Sequence, residues 1–189
     1  MIVLHDYCYT MMERRLKYAN FCYAIFHGDE FILSKNKETN ETEWKLFSSL
    51  IYNDVQKAKE MNFRPLPIGD RYTVESYYLP ITPSELDSAY SIENYCEYNG
   101  DVLKCAYSEE RRTFSLHLGE NEELCRRYGI GDVYDRYIGS RGYECFNDLW
   151  INVPEDEVLD VWEQRSPIKG FPFHGPERVY VRKDGVWLR

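Results

Sequence analysis

A chain of 189 residues with 43% hydrophobic content can build an ordinary core, which excludes wholesale disorder. Its 32 Asp and Glu against 23 Lys and Arg give a net charge of −9, which argues against direct contact with nucleic acid or with an anionic membrane surface. No apolar run approaches the roughly 20 residues of a membrane-spanning helix, and the opening MIVLHDYCYT lacks the features of a secretory leader, so a cytoplasmic protein is expected.

In chain order, residues 6–18 read as a first helix. FCYAIF (21–26) and FILSK (31–35) read as a β-hairpin with Gly28 in the turn. Trp44, Phe47, Ile51, Val55 and Ala58 recur at three- and four-residue steps, which predicts a helix over 41–61. Pro65 and Pro67 follow it and cannot continue a helix. RYTVESYYLPI (71–81) alternates like a strand, and Thr82-Pro83 predicts the start of a short helix over 83–91.

Asn99-Gly100 between alternating segments is the strongest hairpin signal of the chain. RRTFSLHLG (111–119) supplies a third antiparallel strand. Residues 120–128 read as a helix stopped by Gly129. Strands are predicted at 132–138 and 143–152, and Pro154 opens a helix over 154–164. A Pro- and Gly-rich loop leads to a last hairpin, RVYVRK and VWLR, turned by Asp184-Gly185. Together these predict a single α+β domain, residues 1–189: a mainly antiparallel sheet built from hairpins, with three to four helices packed on it.

The segment 129–150 concentrates the unusual residues, with Gly129, Gly131, Gly139 and Gly142 beside Asp132, Asp135, Glu144 and Asp148. A dinucleotide loop would need glycine at position 134, where Tyr134 stands, and no phosphate-loop motif occurs. The four acids suit Mg²⁺ or Ca²⁺ by type, but their spacing matches no calcium loop, and acids on a strand pair are ordinarily solvated. Cysteines 8, 22, 96, 105, 125 and 145 form no C-x-x-C and read as reduced thiols. Cys96 and Cys105 fall on neighbouring strands of the Asn-Gly hairpin, but two thiols make a weak zinc site. His174 sits in the aromatic loop, the position of the four histidines that best suits a functional role, although no nucleophile motif accompanies it. No cofactor and no metal are expected.

The charge is uneven. From Gly119 to Glu163 there are 12 acids against 4 bases, whereas Ser166 to Arg189 carries 5 bases against 2 acids. Such a field steers toward a basic cleft. Seventeen tyrosines fit strand positions and also contact surfaces. Asp132, Tyr134, Asp135, Tyr137, Tyr143, Glu144, Asp148, Glu155 and Asp156 are therefore the candidate protein-binding residues. The expected function is inhibition of another protein by docking on its basic, nucleic-acid-binding surface, as a nuclease would present, in the manner of bacterial immunity proteins or phage anti-defence proteins. A small hydrolase with its site near 129–150 or His174, and a self-assembling structural subunit, are the alternatives.

Overall fold

The computed structural model describes residues 16–17, 19, 21–35, 43–49, 55–65, 76–139 and 149–188. The helix expected over 6–18 lies outside them, except for Leu16 and Lys17, which are not helical. The chain divides into two compact units, Met1–Ile92 with Arg165–Glu177, and Glu93–Gln164 with Arg178–Arg189.

In the first unit, β1 (Cys22–Phe26) and β2 (Asp29–Lys35) form the expected hairpin. His27 and Gly28 both have positive φ, 51° and 81°, as a type I′ turn requires. β3 (Trp44–Ser49) pairs with β2, β5 (Ser76–Ile81) with β3, and β4 (Arg64–Pro65) with β5. The first residues of β6 (Ser88–Tyr98) pair with the other edge of β1. Every one of these pairings is antiparallel. Ala24, Phe26, Phe31, Leu33, Leu46, Phe63, Tyr77 and Ile81 form a buried core on one face. Tyr23, Tyr90 and Ile92 form a second cluster. The loop after Arg165 is fastened to the same unit. Phe171 meets the Trp44 ring edge-on at 4.9 Å, and the Ala89 N–H donates to the Pro172 carbonyl at 2.7 Å.

Two predicted helices of this unit are corrected. In place of a helix over 41–61 there is β3, with only a short helix α1 (Val55–Glu60) after it. Trp44 and Phe47 do fall at helical spacing, but Leu46 and Ser48 are the residues buried deepest, and strand alternation puts them on one face. Pairing with β2 and β5 on its two sides satisfies the backbone of β3 as a central strand. The helix over 83–91 shrinks to a 3₁₀ turn, Pro83–Glu85. Its start is as read: Pro83 is the first residue, and the Thr82 N–H donates to the Glu85 carboxylate at 2.8 Å. The chain then enters β6, where burial at Tyr90, Ile92, Asn94 and Cys96 has a period of two.

In the second unit the rest of β6 pairs with β7 (Asp101–Ser108), β7 with β8 (Thr113–Gly119), and β8 with β9 (Leu149–Pro154). The Asn99-Gly100 turn has φ of 49° and 83°, and Tyr98 faces Asp101 and Cys96 faces Leu103, the register expected of that turn. β10 (Asp160–Pro167), β11 (Arg178–Lys183) and β12 (Val186–Trp187) follow, the last two joined by the Asp184-Gly185 turn. α2 (Glu122–Arg127) is capped by Asn121, whose side chain accepts from the Leu124 N–H at 3.1 Å. It ends where predicted. Gly129 at φ 76° lets its own N–H reach the Arg126 carbonyl and that of Ile130 reach Cys125, a Schellman closure.

Two further expectations are overturned here. The strand over 132–138 is a helix, α3 (Gly131–Gly139). The strand over 143–152 is described only from Leu149, since 140–148 lie outside the described residues. The helix over 154–164 is a 3₁₀ turn, Glu155–Glu157, followed by β10. A register shift between Val161 and Trp162 explains the misleading pattern: the bulge buries both residues, which breaks the strand alternation. The α+β expectation of three to four helices packed on a sheet is thereby corrected. The fold is nearly all-β, mostly antiparallel strand with short helices.

Candidate functional site

The acidic segment folds mainly onto α2, α3 and the 3₁₀ turn of the second unit. By unit, the first holds 12 Lys and Arg against 14 Asp and Glu, and the second holds 11 against 18, so −7 of the −9 belongs to the second. α2 is too short to be stable alone. It is anchored by Cys125, which is fully buried, while Glu120, Glu122 and Glu123 are exposed. Asp132 and Asp135 are exposed on α3, with Val133 between them also exposed and Tyr134 half-buried.

Arg126 bridges the two helices. It pairs with Glu122 at 2.9 Å and with Asp135 at 2.8 Å. Arg127 pairs with Glu123 at 2.7 Å and with Asp101 at 2.8 Å. The Tyr128 hydroxyl donates to Asp101 at 2.7 Å, and its ring stacks on Tyr98 with centroids 5.7 Å apart. The Tyr98 hydroxyl in turn donates to Glu157 at 2.9 Å. This chain of contacts brings the exposed Asp156 and Glu157 of the 3₁₀ turn to the end of α2. Burial, followed by the hydrogen bond to Asp101, pushes Tyr128 up to about 12, so the phenol stays a donor at any physiological pH. The bonds from Tyr128 and then Arg127 hold Asp101 below its ordinary value.

Of the candidate binding residues, then, Asp132, Tyr134, Asp135 and Asp156 come together on this unit, and Tyr137 falls in the same helix α3. Tyr143, Glu144 and Asp148 lie outside the described residues. Glu155 points inward. It is 6% exposed, and its carboxylate accepts from the Tyr107 hydroxyl (2.6 Å), the Trp187 indole (2.8 Å), Arg112 (3.0 Å) and Arg182 (3.1 Å). Burial alone would raise its pKa. The bonds from Tyr107, Trp187 and Arg112 outweigh that and lower it to about 2. Glu155 thus ties β7, β11 and β12 to the 3₁₀ turn and leaves the displayed surface to its neighbours.

Sequence reading missed Tyr98, Asp101, Arg126, Arg127 and Tyr128. The signal was present for two of them: Tyr98 and Asp101 flank the Asn-Gly turn, so they had to lie opposite each other at its tip. The other chemistries find less support. The His174 backbone N–H donates to Ser88 at 2.9 Å, which fastens the loop. Burial pushes the Cys105 thiol up, and its contact with Cys96 adds to this, which makes it a poor nucleophile. Among the described residues no three His, Cys, Asp or Glu side chains gather as a metal site.

No curated protein and no solved structure matches the chain. A family model does, over residues 18–141, which takes in strands of both units together with α2 and α3. On that match the chain belongs to the family described as Uncharacterised conserved protein UCP033725.

Proposed function

We propose that this protein inhibits or neutralises another protein by docking its acidic second unit on a basic, nucleic-acid-binding surface, as immunity and anti-defence proteins do. One observation carries the reading. Glu120, Glu122, Glu123, Asp132, Asp135, Asp156 and Glu157 are all exposed, and the ion pairs of Glu122, Glu123 and Asp135 are made with two exposed side chains, Arg126 and Arg127. Exposed ion pairs of this kind cost little to exchange for pairs with a basic partner, since each contributes only about 0–1 kcal/mol. The Val133 side chain among the acids supplies apolar contact area.

Affinity capture from a lysate, washed at low and high salt, tests the reading. A nucleic-acid enzyme held at low salt and released at high salt is the expected result. With that partner in hand, replacing Glu122, Glu123, Asp132 and Asp135 by Gln or Asn should slow association by about tenfold at low salt and flatten its salt dependence. Association unchanged in rate and salt slope would place the interface elsewhere.

A further inference from the structure

The outer edge of β9, the side away from β8, has a geometry that the acidic helices lack. Within the second unit, among the described residues, the strands paired on one side only are β12, two residues long, and β9, six residues long. A long edge strand presents a row of backbone donors and acceptors that another strand can use, and proteins commonly blunt such edges with charge, with proline or by keeping them short. β9 reads Leu-Trp-Ile-Asn-Val-Pro, with no charge and with proline only at its last position.

The register fixes which backbone groups face outward. The Glu155 N–H donates to the Arg112 carbonyl at 3.0 Å, and β9 continues opposite β8 with Val153 facing Phe114 and Ile151 facing Leu116. In an antiparallel pair the bonded positions alternate, so Val153 and Ile151 turn their backbone groups toward β8. Trp150 and Asn152 turn both N–H and C=O the other way, and Pro154 its C=O. The Asn152 side chain is tied back to Ser115 at 2.7 Å and does not cover its own backbone. The Trp150 ring rests beside His117, with centroids 4.7 Å apart, and is 46% exposed.

We infer that this edge receives an extended, lysine- or arginine-bearing segment of the partner, added to β9 as a further strand. The inference rests on the acidic-docking reading and names the form in which the partner arrives. Charge complementarity selects the occupant. The unit carries 18 acids against 11 bases, and exposed Asp156 and Glu157 follow directly on the strand. A second copy of this chain would bring the same acidic excess to the same edge, whereas a basic strand would meet backbone bonds along β9 and carboxylates at its end.

The test uses the full chain and two fluorescein-labelled octapeptides of equal charge, one alternating Lys and Val, the other alternating Lys and Pro. Anisotropy at low salt should show the Lys–Val peptide binding at least tenfold tighter, because the Lys–Pro peptide lacks half of its N–H donors. Asn152→Pro removes an outward N–H and no backbone bond to β8, and should abolish that preference, whereas Asn152→Thr, which also loses the Asn152 side-chain carbonyl that accepts from Ser115 but keeps the N–H, should keep it. If Asn152→Pro does not fold, the contrast between the peptides still decides. Equal binding of both peptides overturns the strand-addition inference and leaves acidic docking standing. Binding of neither overturns both. A free chain that is dimeric, and that Asn152→Pro makes monomeric, would assign the edge to a second copy and also overturn the inference.

Discussion

Glu155 is the residue whose role most depends on distant chain. Its carboxylate accepts from side chains 27 to 48 positions away, at Arg182, Trp187, Arg112 and Tyr107. Nothing local distinguishes it from Asp156 and Glu157, which is why the sequence supports only a run of acids at a presumed helix start. The buried Arg182 guanidinium also lies 5.2 Å from the Trp187 ring and donates to the Val158 carbonyl at 2.8 Å. Glu155→Gln would leave that guanidinium without its counter-charge, and the expected loss is about 3 kcal/mol by urea unfolding. The pH dependence has a definite sign. The folded-state pKa of about 2 lies below the ordinary 4.5, so the carboxylate's contribution is complete above about pH 4.5 and is lost as pH falls through about 2. Melting temperatures between pH 5 and pH 2 should fall in the natural protein, and the fall should be shallower in Glu155→Gln. Parallel curves would mean that other carboxylates govern the acid limb.

Elements were legible where a turn dictated them. The His27-Gly28, Asn99-Gly100 and Asp184-Gly185 turns all hold two residues at positive φ, and each places its two strands in register. They are read from dipeptides because few other residue pairs tolerate that backbone. The Gly129 stop was legible for the same reason. No side-chain atom crowds it, so Gly129→Ala should cost only the strain of its φ of 76°, about 1 kcal/mol, with Gly129→Asn costing less. A thermal melt of the two variants measures this, and equal losses would mean that the loss is not backbone strain. Elements were misread where apolar spacing alone carried the reading. In β3, apolar residues on both strand faces imitated a helical stripe. The discriminating residue is Leu46, fully buried yet off that stripe. Leu46→Ala should lose about 3 kcal/mol, a core value, whereas a residue on the wet side of a helix would lose almost nothing. α3 erred in the opposite direction: Asp132, Tyr134 and Arg136 alternate with Val133 and Asp135 in a way that suits neither period clearly.

At the scale of the molecule, the sign of the field and the stretch that carries it were both legible in the sequence. A net charge of −9 over the chain becomes −2 on one unit and −7 on the other, because the acid-rich stretch from Gly119 to Glu163 lies wholly within the second unit. Like charges gathered on one compact unit repel each other, and salt screens that repulsion. The Debye length falls from about 30 Å at 0.01 M to about 8 Å at 0.15 M. The same salt weakens the exposed pairs of Arg126 and Arg127, but such pairs are worth little, and seven excess charges on one unit outweigh them. Added salt should therefore stabilise the second unit more than the first. Hydrogen exchange resolves this within one sample. Amide protection in β7 and β8 should rise between 0.01 M and 0.15 M NaCl, while protection in β1 and β2 changes less. An equal rise in both would trace the effect to general salt stabilisation. A fall confined to β7 and β8 would mean that the arginine pairs hold the acidic unit together, and the face proposed for docking would then be a structural network that a basic partner would have to break.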